Sequence, residues 1–190
     1  MNLLRRRTLL FAAALPLARP NHAEDAAWAE LARGGVAVLL RHAATEPGIG
    51  DPPGFRLDDC RTQRNLSAAG RAQARDFGKQ FATRGIRVDR VLTSRWCRCV
   101  DTAKLAFPQP APQVFEPLNS FFEDRSTAAR QTAEVRAALQ ALRPPQNWVL
   151  VSHAVNIAAL AGTSVSMGEA VLVRPDGDAG VQVVGRLAVG

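Results

Sequence analysis

The chain has 190 residues, with 24 Lys+Arg against 17 Asp+Glu and three cysteines. That length suits one domain with a real core and not comfortably two. Arg5, Arg6, Arg7 and Arg19 precede the first acid, Glu24, so 20 basic residues face 17 acidic ones in the rest, a net +3; so mild a balance, with no basic stripe interleaved with aromatics, excludes a nucleic-acid partner.

Residues 1–23 read as an export address. Arg5-Arg6-Arg7 is a positive start, and Thr8 to Ala18 is an apolar run too short to span a bilayer but fitting a secretory signal. Small residues at Ala18 and Ala23 offer cleavage points, the bond after Ala23 being preferred. Arg6-Arg7-Thr8-Leu9-Leu10 also resembles a twin-arginine export signal. The expected location is periplasmic, with membrane contact only through this segment and residues 24–190 forming the domain.

Ala26 to Arg33 is expected as a short helix stopped by Gly34-Gly35. Val36 to Leu40 is a continuous apolar run of the kind that forms a central strand covered on both faces. It ends at Arg41-His42, and a Pro/Gly-rich loop follows from Glu46 to Asp59. Ser67 caps a helix whose Ala74, Phe77, Phe81 and Ala82 fall at helical spacing, and Gly85 ends it. Val88 to Thr93 reads as a second strand, Cys99 to Phe107 as a helix, and Pro108 to Pro117 as an extended linker. Thr127 to Leu142 is an amphipathic helix ended by Pro144-Pro145. Trp148 to Val151 is a third buried strand that runs into Ser152-His153, and Val155 to Ala161 begins the next helix. Ala170 to Val173 and Val181 to Leu187 form a last strand pair about an Asp176-Gly177-Asp178 turn. Strands alternating with helices predict an α/β sandwich with a mostly parallel sheet.

Cys60, Cys97 and Cys99 suit a disulfide in an oxidising compartment. Cys97 and Cys99 are too close in sequence to pair easily, so the expected bridge joins Cys60 to one of them and leaves the other buried or free. A zinc site lacks a fourth ligand at suitable spacing, and no metal or cofactor is expected.

Three polar groups follow three apolar strands: Arg41-His42, Ser94 with Arg98 one turn later, and His153. In a parallel sheet these strand ends share one edge, where ligands bind. A neutral imidazole is a competent nucleophile toward phosphorus. A phosphoryl group in transfer needs fixed positive donors about its oxygens, and arginine binds such oxygens with a planar fork. A leaving alkoxide needs a proton, so a carboxylic acid is required nearby.

Four segments carry a resemblance to one family, the histidine phosphatase superfamily with the phosphoglycerate-mutase-like fold. Leu39-Leu40-Arg41-His42-Ala43-Ala44-Thr45 resembles its Arg-His-Gly-x-Thr motif, and Arg64-Asn65-Leu66-Ser67-x-x-Gly70-x-x-Gln73-Ala74 resembles its Pro-Leu-Thr/Ser segment. Ser94-x-x-x-Arg98-x-x-x-Thr102-Ala103 and Val151-Ser152-His153 resemble the third and fourth. The resemblance implies a three-layer α/β/α sandwich and a branch that includes small phosphohistidine and lipopolysaccharide-core heptose phosphatases. It implies His42 as the phosphorylated nucleophile, Arg41, Arg98 and His153 as phosphoryl ligands, and Arg64 as a further phosphate contact. Glu123 is the preferred acid, with Asp124 the alternative. Ala154 follows the second histidine where the acid-phosphatase and phytase branch has Asp, which disfavours that branch. Ala43 replaces the motif glycine, which questions close backbone approach there.

The expected function is metal-independent hydrolysis of a small phosphate monoester through a phosphohistidine on His42. An envelope sugar phosphate is one substrate class, by analogy. The rivals are a non-catalytic phosphosugar- or polyphosphate-binding protein of the same fold and a phosphoglycerate-type mutase. Trp96, beside the third segment, is a candidate to line the pocket; the Glu46–Asp59 loop and Pro108 to Pro117 are expected to shape it. Oligomeric state is not legible.

Overall fold

The apolar runs of the sequence become the middle of one sheet. The computed structural model describes residues 22–177 and 180–188; residues 1–21 of the expected leader, and Asp178 of the expected turn, lie outside them. In chain order the elements are α1 (His22–Arg33), β1 (Val36–Arg41), α2 (Ala68–Thr83), β2 (Arg90–Thr93), α3 (Cys97–Ala106), β3 (Gln113–Val114), α4 (Ala128–Leu139), β4 (Asn147–Ser152), α5 (Ala154–Ala161), β5 (Ala170–Asp176) and β6 (Gly180–Leu187). The sheet runs β3-β2-β4-β1-β5-β6. β4 lies between β1 and β2 and is parallel to both, with Val149 opposite Val38 and Leu150 opposite Leu92. β5 and β6 add an antiparallel hairpin at the far edge.

Alternation along the strands feeds two cores. Val36, Val38 and Leu40 face α1, α2 and α3 through Trp28, Phe77 and Ala103. Leu39 and Leu150 face α4 and α5 through Val135, Leu139 and Ile157. The result is a three-layer α/β/α sandwich, as expected.

The differences from expectation are local. Pro108 to Pro117 is not all linker, because Gln113 and Val114 pair with Leu92 and Thr93 as an edge strand. Two residues give no readable period, which is why the pattern was silent. α1 starts at His22, four residues earlier than expected, and α3 at Cys97, two earlier.

α2 sits where it does because two glycines let it. Ser67 Oγ caps the helix by accepting from Gly70 N at 3.0 Å. A Cβ on Gly70 would lie 1.8 Å from the Ala44 carbonyl oxygen, and one on Gly78 1.9 Å from that of Ala106. Gly70 thus brings α2 against the segment leaving β1, and Gly78 brings it against α3. In an exposed helix Gly→Ala would stabilise by about 1 kcal/mol. Here Gly78→Ala is expected to destabilise by about 1–3 kcal/mol, the usual cost of overpacking. Thermal denaturation followed by circular dichroism checks this, and a melting temperature at or above the parent's contradicts the packing argument.

Candidate active site

The parallel register of β1, β4 and β2 delivers three strand ends to one edge. Arg41 is level with Ser152, and Thr93 with Val151. The next residues are then held by backbone bonds to β4: His42 N donates to Ser152 O at 3.0 Å, and Ser94 N to Val151 O at 2.9 Å. The His42 and His153 rings meet edge-on with centroids 5.5 Å apart. Arg41, His42, Arg64, Arg98 and His153 all line one cavity of about 450 Å³.

The segment after His42 is fixed from three sides. Ala43 N donates to Thr102 Oγ1 at 3.0 Å, and Ala44 N to Gln73 Oε1 at 2.9 Å. Gly70 packs on the Ala44 carbonyl. These contacts explain why Gly70, Gln73 and Thr102 recur in the motifs. Ala43 needs no left-handed backbone, since no described non-glycine residue has positive φ. Its Cβ packs with Leu66 and Ala74, so the missing motif glycine leaves the backbone undisturbed.

His42 is held as a neutral ring in one tautomer. Its Nδ1 lies 2.9 Å from the Ala43 carbonyl oxygen. A carbonyl only accepts, so Nδ1 carries the proton and Nε2 carries the lone pair. Burial holds the imidazole down to about 3, with Arg98, Arg41 and Arg64 adding to the effect against the Ala43 carbonyl. The ring is therefore neutral at pH 7. His153 is also held well below its ordinary value, by burial first and then by His42 and the arginines. Its Nε2 lies 2.9 Å from Ser94 Oγ, which leaves Nδ1 as the nitrogen available to a ligand.

The three guanidinium groups share a feature. Nε of Arg41, of Arg64 and of Arg98 is buried without a hydrogen-bond partner among the described residues. Buried N–H donors are rarely left so. Burial and mutual repulsion press the Arg41 and Arg64 guanidiniums below their ordinary values. An anion in the cavity answers both deficits.

Sequence reasoning missed Asp51. It comes from the Pro/Gly-rich loop, and its carboxylate accepts from Arg98 Nη1 at 2.7 Å and Nη2 at 3.1 Å, from Trp96 Nε1 at 3.0 Å and from Arg64 N at 2.9 Å. The Asp51 and Arg98 side chains are only 4% and 6% exposed. Burial raises the Asp51 carboxyl, but the Arg98 fork, the Arg64 N–H and the Trp96 indole outweigh it and hold it below the ordinary value. It is a permanent carboxylate, not an acid. No motif flags it; the Asp51-Pro52-Pro53-Gly54 turn was its only trace.

Cys60 bonds to Cys97, and Cys99 is the buried free thiol. Burial pushes that thiol up to about 12, so it is inert. The bridge ties the end of the loop to the first residue of α3, next to Arg98. Gly48, Ile49, Gly50, Asp51 and Phe55 of the loop line the cavity, as does Trp96. Pro108 to Pro117 does not, a correction to the expectation: its β3 pairing with β2 carries it along the sheet edge, away from the mouth. Among the described residues no group of three His, Cys, Asp or Glu is placed to hold a metal.

Glu123 and Asp124 are both exposed at the cavity. Asp124 is already engaged: its Oδ1 accepts from Ser126 N at 2.9 Å, and the Ser126 hydroxyl, with this backbone bond, holds its carboxyl below the ordinary value. Glu123 has no such tie.

Residues 37–118 match the sequence model of the histidine phosphatase superfamily, branch 1. A comparison with curated proteins finds no match. Solved structures share the fold. They include the protein histidine phosphatase SixA in complex with tungstate (14% identity, 80% of this chain and 96% of that one, TM-score 0.58). The alpha-ribazole phosphatase of Shigella flexneri is similar at 18% identity over 82% of this chain and 98% of its own, with a TM-score of 0.56. A mycobacterial glucosyl-3-phosphoglycerate phosphatase in complex with VO3 is similar at 20% identity over 81% and 98%, with a TM-score of 0.56. The matched segment carries three of the four motifs, so this part of the chain is similar to the histidine phosphatase superfamily, branch 1, and the fold is shared with these solved structures.

Proposed function

We propose that this chain hydrolyses a phosphate monoester, with His42 as the group that accepts the phosphoryl. One observation carries the reading: three arginines, each with a buried Nε–H that has no partner among the described residues, line the same cavity as a neutral histidine whose tautomer leaves Nε2 free. His42 Nε2 attacks phosphorus, and the P–O bond to the leaving group breaks. Arg41, Arg64, Arg98 and His153 bind the phosphoryl oxygens, where charge spreads in the transition state. Glu123 gives its proton to the departing oxygen. It then takes one from water, whose oxygen displaces His42 from phosphorus and releases inorganic phosphate. Two of the fold relatives were solved with tungstate and with VO3, oxyanions that fit a cage of this kind.

Glu123 and Asp124 at the cavity weigh against the non-catalytic binding protein, which would lack a carboxylate there. An envelope sugar phosphate is the alternative substrate class, by analogy; for its hydroxyls the cavity offers few polar side chains beyond the phosphoryl cage.

On the purified chain, His42→Ala is expected to abolish hydrolysis of an aryl phosphate. Glu123→Gln is expected to slow it by 10²–10⁴-fold, with the larger loss on esters whose alcohol is a poor leaving group. Vanadate should inhibit and chelators should not. Full activity in His42→Ala, or loss with a chelator and recovery with a divalent ion, overturns the mechanism.

Asp51 is expected to act by holding Arg98. Asp51→Asn removes the buried negative charge while nearly keeping its shape. It should raise KM and the inhibition constant of inorganic phosphate together, leaving the pH profile of kcat unmoved. A shifted kcat profile would instead make Asp51 a proton donor.

Export is supported by the leader-like residues 5–18 and by the Cys60–Cys97 bridge, since disulfides persist in oxidising compartments. Cell fractionation of the full chain should recover it in the periplasm; recovery only from cytoplasm rejects export and revives the mutase.

A further inference from the structure

We propose that the cavity is built for a phosphate monoester whose leaving group is apolar, an alkyl chain or an aromatic ring. The proposal rests on the phosphatase reading and adds the substrate class to it.

The first observation is volume. About 450 Å³ is a small-molecule site, and a phosphoryl group takes a minor part of it. The rest belongs to the group that leaves.

The second is what lines that remainder. Beyond the arginines and histidines the cavity meets Ile49, Phe55, Trp96, Phe122, Val155 and Met167. Ile49 is 92% exposed and Phe122 52% exposed, and only Val114 and Val183 join them as exposed large apolar residues among those described. A single exposed apolar residue needs no explanation. Two of the four on the mouth of one cavity, continuous with Phe55 and Trp96 (ring centroids 5.9 Å apart), form a patch of the kind that marks a binding surface.

The third is the polar inventory. A hydroxyl-rich leaving group needs hydrogen-bond partners, and a site that reads hydroxyls supplies them. Ser120, Glu123 and Asp124 are the polar side chains left in the lining. Ser120 Oγ accepts from Phe122 N, Asp124 Oδ1 from Ser126 N, and Glu123 is assigned to the leaving oxygen, so beside Glu123 a sugar's several hydroxyls find little more than the Ser120 O–H and Asp124 Oδ2 among these side chains. Every cationic side chain of the lining is in the phosphoryl cage. None is left for a second anionic group, so a phosphorylated sugar acid has no partner for its carboxylate.

The test is a series of n-alkyl monophosphates from methyl to hexyl, whose alcohols differ little in acidity beyond ethyl. Benzyl and cyclohexylmethyl phosphate, glucose 6-phosphate and 3-phosphoglycerate complete the panel. The oxidised chain is used throughout, with His42→Ala as blank. kcat/KM is expected to rise about two- to fourfold per methylene, as for partial to full burial of each. Hexyl phosphate should exceed both hydrophilic substrates by at least tenfold. Ile49→Ser and Phe122→Ser, on chains shown to be folded by circular dichroism, should reduce the hexyl-to-methyl ratio of kcat/KM by at least threefold each. A flat or falling series, or faster turnover of glucose 6-phosphate or 3-phosphoglycerate than of hexyl phosphate, overturns the proposal and leaves the phosphatase reading standing. No His42-dependent turnover of any monoester overturns both.

Discussion

The Arg98–Asp51 pair is the interaction on which the site depends. Three guanidiniums and two buried imidazoles are gathered at one sheet edge, and charge taken out of water is costly unless it is paired. Asp51 supplies that pairing for Arg98 with two parallel bonds, and Arg64 N and Trp96 Nε1 complete the carboxylate's own bonding. Arg98, the buried one of the three guanidiniums, thus has a buried carboxylate to hold it. The choice of atoms matters too. Asp51 takes both Nη groups and leaves Nε free, so Arg98 is oriented and neutralised without losing every donor. A carboxylate held so firmly cannot serve as the acid, and the proton must come from elsewhere. On the proposed mechanism that role falls to Glu123, which is exposed at the cavity and has no hydrogen-bond tie among the described residues.

Much of this was legible in the sequence, for definite reasons. Val36 to Leu40 and Trp148 to Val151 are apolar without interruption, as strands covered on both faces must be. Each runs directly into a histidine. Parallel pairing turns two positions far apart in sequence into neighbours, and the ring pair His42–His153 is the consequence. Ser67, Gly70, Gln73 and Thr102 were readable as motif letters before they were readable as contacts. Their shared purpose, to immobilise Ala43 and Ala44 so that His42 presents one tautomer, needed coordinates.

What the sequence hid was what loops and short elements do. β3 is two residues long, and nothing periodic survives in two residues. Asp51 lies in a stretch of Pro and Gly, where a lone acid carries no pattern. Its importance arises only because the loop folds back over the strand ends and the Cys60–Cys97 bridge fastens it to α3. The cysteines announced a bridge between Cys60 and one of two partners. Direction chose between them, since Cys99 Sγ lies beside His153 in the core and Cys97 meets Cys60 at the end of the loop.

The bridge also explains how one loop can serve two ends. A specificity loop is usually free to vary because it is loosely attached. Here the loop contributes Asp51, Ile49 and Phe55 to the cavity lining, within seven residues of sequence. A displacement of the wall therefore moves the carboxylate that orients Arg98, and the leaving-group site and the phosphoryl site are one mechanical unit. Bonds to Trp96, Arg64 and Arg98 hold one end of that unit and the disulfide holds the other. On the proposed reading, the same fastenings that couple wall and cage let the apolar mouth stand exposed while the anion cage keeps its geometry.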